Sequence, residues 1–169
     1  GALSSPMRFY GSDQIHSCHR IAVEAMGLGD RALRRVSSDA ECRMSLTALR
    51  KAIAEDRAAG LRPACVIATA GTVNTGAIDD LAAIADLCAE EGLWMHVDGC
   101  IGGLLAIAPA GRTLVNGIAR ADSIAIDPHK WLHAPFEVGC ALVRDADAHL
   151  GTFSVTPEYL EAAPRGIAS

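Results

Sequence analysis

The sequence predicts an α/β protein with a mostly parallel sheet and flanking helices, and three observations predict it. Strand-length apolar runs alternate with amphipathic helical stretches, and no hairpin signal interrupts the alternation before Lys130. Aromatic residues make up only 4% of the chain while alanine and glycine are abundant, a balance suited to helices packed closely on a sheet. Half of the 169 residues are apolar, enough for one domain with a real core. A strand, a crossover helix and a second strand make parallel neighbours, so the residues just after each strand gather on one rim, where open α/β sheets bind ligands.

In chain order, residues 7–11 read as a strand running into Ser12-Asp13-Gln14-Ile15-His16-Ser17, whose polar residues can cap a following helix. Ile21, Ala22 and Ala25 form that helix's apolar face, Gly27 and Gly29 end it, and His19 reads as a surface residue on it. A second strand spans 32–36. From Ser45 as N-cap, Leu46, Leu49, Ala52 and Ile53 line one face of a helix running to Gly60, with an ordinary solvated charged face. Residues 64–69 are continuously apolar, as in a strand covered on both sides, and end in a loop of small residues from Gly71 to Gly76. Asp79 and Asp80 open a helix with the sign its dipole favours, Leu81, Ile84, Ala85 and Cys88 give its buried face, and Gly92 closes it. Residues 93–97 form the next strand, with Asp98 at its end. Irregular or helical pieces over 102–108 and 111–119 lead to the strand at Ser123, and 139–143 is one further strand.

Composition excludes several classes. The net charge of −5 and the absence of a basic cluster interleaved with aromatics argue against a nucleic-acid surface, and Arg31, Arg34 and Arg35 read as a solvated strand flank. The apolar stretch over 101–108 is too short to span a bilayer, and no basic start precedes an apolar signal region, so a cytoplasmic protein is the expectation. The six cysteines, Cys18, Cys42, Cys65, Cys88, Cys100 and Cys140, show no CxxC pair and read as reduced, largely buried thiols. Both ends of the chain suggest a piece of a longer protein.

The rim carries the chemistry. Pro128 ends the strand that begins at Ser123 and delivers Lys130 on a turn. The neighbours Pro128, His129, Trp131 and Leu132 suggest partial desolvation, which would lower the lysine's pKa and make it a nucleophile toward an aldehyde. Taken singly, each residue has a plainer reading: a snorkelling loop lysine, a capping or core His16, a tight connection at Gly71–Gly76. Together, a lysine nucleophile, a carboxylate at a buried strand end and a histidine match the needs of pyridoxal 5′-phosphate. Its aldehyde takes the lysine, its ring nitrogen pairs with the carboxylate, and an imidazole holds the ring in plane.

Four motifs then resemble the group II pyridoxal-phosphate-dependent decarboxylases, the family of aromatic-L-amino-acid, histidine and glutamate decarboxylases. They are Ser12-Asp13-Gln14-Ile15-His16-Ser17, Thr69-Ala70-Gly71-Thr72, His96-Val97-Asp98 with Gly102-Gly103, and Asp127-Pro128-His129-Lys130-Trp131. The resemblance implies that residues 1–150 are the central part of the large domain of a fold-type I, aspartate-aminotransferase-like enzyme. Residues 151–169 would begin a mobile catalytic loop. It implies Lys130 as the Schiff-base lysine, Asp98 as the pyridinium partner, His16 as the stacked imidazole, His129 near the phosphate and Thr72 beside the cofactor. Tyr159, in Thr156-Pro157-Glu158-Tyr159-Leu160, is the candidate acid that reprotonates the α-carbon. Gly99-Cys100 stands where many members carry alanines, so Cys100 changes the packing under the ring. Family members are homodimers acting on amino acids. The family's upstream phosphate-binding segment and C-terminal small domain are missing from this chain.

Other readings stay open from sequence: a different fold-type I reaction (aminotransferase, aldolase-type lyase or desulfurase), a non-catalytic fragment, or a metal enzyme using His16, His96, Asp98, His129 or His133. His129 and His133 are spaced for one helical face, but the strand signal and Pro128 argue against a helix there.

Overall fold

The computed structural model describes residues 5–154. Six strands form one sheet in the order β2-β1-β3-β4-β5-β6: β1 (Met7–Ser12), β2 (Leu33–Val36), β3 (Arg62–Thr69), β4 (Trp94–Asp98), β5 (Ser123–Ile126) and β6 (Cys140–Val143). All neighbouring pairs are parallel except β5–β6, which is antiparallel, so the expected mostly parallel sheet is the one found. The helices are α1 (Cys18–Ala25), α2 (Leu46–Ala58), α3 (Leu81–Glu91), the single turn α4 (Pro128–Trp131) and α5 (Ala146–Phe153). The two pieces between β4 and β5 are short 3₁₀ segments, Gly103–Ile107 and Arg112–Val115, with a third at Ile118–Arg120. Sequence reading passed over α5, an eight-residue helix capped by Asp145, whose side chain accepts from Ala148 N. The expected boundary between residues 150 and 151 falls inside it.

Alternation along the central strands divides the sheet into two unlike faces. Val66 and Ala68 of β3 and Met95 and Val97 of β4 face α2 and α3 and pack with Leu49, Ile53, Leu81, Ile84 and Leu87 into the main core. On the other face, Cys65 and Ile67 form a smaller cluster with Ile15, Val23, Ala32 and Leu33. The register places Thr69 beside Asp98 and Ile67 beside His96, which puts Asp98, His96 and Thr69 all on this second face. α1 covers that face only in part. Val23 is its buried residue, whereas Ile21, expected on the buried side, is 56% exposed.

Two groups expected to be solvated are not. Asp56 of α2 is buried and accepts from Tyr10 Oη at 2.9 Å and from Arg34 Nη1 at 2.7 Å. Arg34 also bonds Glu55 and the Ala52 carbonyl, so it clamps β2 to α2 instead of flanking the strand in water. A buried carboxylate needs such donors, and helix periodicity alone cannot show where they come from. Among the cysteines, all free, Cys65 and Cys88 are buried but Cys18 and Cys140 are exposed. No helix among the described residues is long and apolar enough to cross a membrane.

Asp80 is the N-cap of α3, while Asp79 turns inward. The Asp79 carboxylate accepts from Met44 N at 2.6 Å and from Thr69 N at 2.7 Å, tying the start of α2 to the end of β3. Asp79→Ala strands two buried N–H groups and should lower unfolding stability by about 2–4 kcal/mol. Urea denaturation of the two proteins measures this, and a loss within about 0.5 kcal/mol, as at an ordinary surface site, would contradict the assignment.

Candidate active site

The carboxyl ends of β1, β3, β4 and β5 surround a cavity of about 270 Å³ lined by His16, Cys18, Thr69, Gly71, Thr72, Asp98, Cys100, Asp127 and Lys130, among others. That is near the small end of ligand pockets, roughly 300–1,000 Å³. Its walls follow from local backbone chemistry. After β3 the chain turns at Gly71, whose φ of +92° favours a residue without a Cβ. Gly102 N donates to Ala70 O at 2.7 Å, and a Cβ on Gly102 would lie 2.6 Å from that oxygen, so only glycine lets the loop after β4 close on the loop after β3. Thr72 is buried in that loop, its hydroxyl bonded to Thr75 Oγ1 at 2.7 Å.

Asp98 is the floor of the cavity. Its Oδ1 accepts from Cys100 N at 3.2 Å and its Oδ2 contacts His19 Nε2 at 2.9 Å, with both side chains largely shielded from solvent. Burial by itself pushes this carboxyl up, but the hydrogen bond and charge of His19, with the Cys100 contacts, outweigh burial and bring it down to about 2. His19 was read from sequence as a surface residue; it lies instead on the first turn of α1, over the end of β4. The available signal was its spacing of three from His16, which places both on one side of a helix start. His96 is also on this face, where burial and the nearby His19 lower its pKa against the pull of Asp98. Its Nδ1 meets Ser123 Oγ at 2.8 Å, and that oxygen accepts from Trp94 Nε1 at 2.8 Å.

Lys130 reaches the cavity from α4, with Pro128 at a first-turn position where its missing N–H costs nothing. The desolvation expected from its neighbours is present but does not set the outcome. Burial lowers the lysine's pKa, whereas the hydrogen bond and charge of Asp127, 2.6 Å away, then Cys100 and Asp98, raise it above the ordinary value. The side chain is 39% exposed, so the sequence expectation of a depressed pKa is corrected: Asp127, three residues earlier on the same turn, holds the ammonium. The Cys100 thiol is pushed up by burial and then by the charge and hydrogen bond of Asp98.

His16 is exposed at the cavity mouth, and its Nδ1 accepts from Cys18 N at 3.2 Å, capping the start of α1 as the plainer reading allowed. His129 is placed differently. Its Nδ1 is engaged by the main chain of Val138, with the carbonyl at 2.7 Å and the amide at 3.2 Å, its ring stands edge-on to Phe136, and it is not among the cavity-lining residues. Tyr159 lies outside the described residues. α4 ends before His133, whose φ of +55° leaves the helical region, so His129 and His133 share no helix face. Among the described residues the group whose ligand atoms lie mutually close is Cys18, His19 and Asp98, all within 4.8 Å.

Sequence reading also missed Thr69. It is 4% exposed, lines the cavity beside Asp98, and its Oγ1 has no hydrogen-bond partner among the described residues. A buried hydroxyl left without a partner costs free energy, and one in a cavity wall fits a site built to receive a polar ligand atom.

Comparison with known proteins gives the family. The family model described as the pyridoxal-dependent decarboxylase conserved domain matches residues 2–169, and the chain belongs to that family. An aromatic-L-amino-acid decarboxylase of Bacillus atrophaeus is 43% identical over 152 residues, covering 90% of this chain and 32% of the relative. A histidine decarboxylase of Drosophila melanogaster is 42% identical over 160 residues, covering 94% of this chain and 18% of the relative. The structure of Oryza sativa TDC with PLP and tryptamine superposes with a TM-score of 0.86 at 34% identity, over 94% of this chain and 33% of that one. The chain therefore spans a third or less of the length of these relatives.

A carboxyl whose folded pKa lies below its unfolded value of about 3.9 stabilises the fold above that pH and loses the contribution as pH falls toward the folded value. With the folded value about 2, the stability difference between wild type and Asp98→Asn should shrink as pH is lowered from about 5 to about 2. Thermal unfolding across that range measures it; a difference independent of pH would show that Asp98 is not held ionised.

Proposed function

We propose that the protein is a pyridoxal-phosphate-dependent decarboxylase that converts an L-amino acid to its amine and carbon dioxide, this chain being the central part of its cofactor-binding large domain. The observation that carries the reading is the convergence of Asp98, Lys130, His16 and Thr72 on one cavity, in a chain of the decarboxylase family.

The donor set fits the cofactor. Asp98, anionic and buried, can hold a proton on a pyridine nitrogen. Lys130, which lines the same cavity, would supply a primary amine for covalent attachment to an aldehyde as a Schiff base. The unpartnered Thr69 hydroxyl is free to meet a ring substituent. Bound pyridoxal phosphate supplies an electron sink for the carbanion left when the α-carboxylate departs. The chain's own residues do the rest. Lys130 anchors, and Asp127 holds its Nζ at the cavity wall. His16 would hold the ring in place, with Cys100 and Thr72 as further cofactor-binding residues of the same cavity. Tyr159, outside the described residues, would supply the proton to the α-carbon after carbon dioxide leaves.

The intact protein is a cytoplasmic homodimer in this reading. Supporting the dimer, Trp131, Leu132, Phe136, Leu150 and Phe153 in and around α4 and α5 are exposed apolar side chains that an assembly could cover.

Intact protein supplied with pyridoxal phosphate should show the visible absorbance of bound cofactor. It should release carbon dioxide and amine in equal amounts from at least one member of a panel of L-amino acids, and Lys130→Ala should reduce both signals to background. Amino-group transfer to a keto acid without carbon dioxide release would replace the decarboxylase reading with a transaminase one.

A further inference from the structure

None of the motifs behind the family resemblance contains His19, yet its Nε2 lies 2.9 Å from Asp98 Oδ2. The two residues are 79 positions apart in sequence, and their side chains are only 13% and 11% exposed. Since Asp98 is ionised it can only accept, so the proton in this contact sits on His19 Nε2. The other carboxylate oxygen is held by a main-chain donor, Cys100 N, which stays in any variant. The Cys100 thiol bonds this carboxylate as well; each carboxylate oxygen has two acceptor positions, so these three donors do not fill them all.

We propose that His19 is a positioning residue for the cofactor: its Nε2–H fixes the Asp98 carboxylate so that the remaining acceptor positions receive the protonated ring nitrogen of pyridoxal phosphate. The inference rests on the functional reading above. The fold builds the arrangement at low cost, because α1 begins just beyond β1 and sets its first turn over the β4 end. There His19 stands edge-on to His96 at 6.2 Å between ring centres. His96 is occupied with Ser123, so it does not compete for Asp98. The other titratable groups at the site, His16, Cys18, Cys100, Asp127 and Lys130, line the cavity, and His16 is engaged with Cys18 N. Asp127 is engaged with Lys130. This leaves His19 as the side-chain base that pairs with Asp98. Without it a shielded carboxylate keeps only the Cys100 amide and thiol as donors, and the proton shared with the ring nitrogen shifts toward the carboxylate.

The test uses the intact protein as wild type, His19→Leu and His19→Gln, each titrated with pyridoxal phosphate labelled with a magnetic isotope at the ring nitrogen. Circular dichroism checks the fold. Glutamine can place an N–H near the position of Nε2 without a ring or a charge, so it separates the hydrogen bond from the imidazole. A hydrogen bond to a charged group corresponds to a roughly ten- to hundredfold change in affinity. His19→Leu should weaken cofactor binding by that factor and move the ring-nitrogen resonance toward that of neutral pyridine. His19→Gln should recover most of both. Weakened binding with an unmoved resonance would mark His19 as merely structural and overturn the proposal, as would wild-type affinity and resonance in a folded His19→Leu. A stoichiometric divalent metal held by wild type and lost with His19→Leu would also overturn it, assigning Cys18, His19 and Asp98 to an ion instead. Failure of wild type itself to bind the cofactor would sink the functional reading along with this one, and that outcome is distinct from the others.

Discussion

A carboxylate kept ionised where little water reaches is the constraint around which this chain is built. Asp98 is 8% exposed at the end of a central strand, where burial alone would neutralise it. Donors must therefore be brought to it from elsewhere, and each comes from a different element: the Cys100 amide from the turn after β4, and His19 from α1. The β3–β4 register then aligns Thr69 with Asp98 so that the neighbouring wall also presents a polar atom. Small residues at Gly71 and Gly102 let the two loops meet without a side chain in the way.

The unequal faces of the sheet express the same division of labour. The α2 and α3 side is a continuous apolar core whose residues are almost entirely excluded from solvent. The α1 side holds the histidines, the serine and the carboxylate, together with a much smaller apolar cluster. Asp79 joins the two, accepting from Thr69 N at the strand end that lines the cavity and from Met44 N at the approach to α2. Burial raises its pKa while those two amides lower it, and the net direction is upward. The site is thus held rigid from behind by hydrogen bonds that belong to the core.

Much of this was legible in the sequence because it follows from local pattern. The continuous apolar run before Thr69, the helix faces of α2 and α3, the Ser45 cap and the placement of Asp98 and Lys130 at strand ends all come from periodicity and punctuation. What was not legible depends on contacts between residues distant in sequence. His19 meets a partner that only the sheet brings near, Arg34 and Asp56 are joined across β2 and α2, and Thr69 Oγ1 is distinguished by having no partner among the described residues. The direction of the Lys130 shift was misjudged for a related reason. Composition shows apolar neighbours, but whether the Asp127 carboxylate reaches Nζ depends on the turn formed by α4. The face of α1 was misread because its helix covers only part of the sheet, so amphipathic spacing overstated what it buries.

The central claim is that Asp98 and Lys130 face one cavity sized for a single pyridine ring. Borohydride reduction of the intact protein incubated with pyridoxal phosphate, followed by peptide mass spectrometry, tests it most directly. The account predicts one pyridoxyl group per chain, on the peptide that contains Lys130, with the labelling slowed by Asp98→Ala. Label spread over surface lysines, or confined to a lysine other than Lys130, would contradict it.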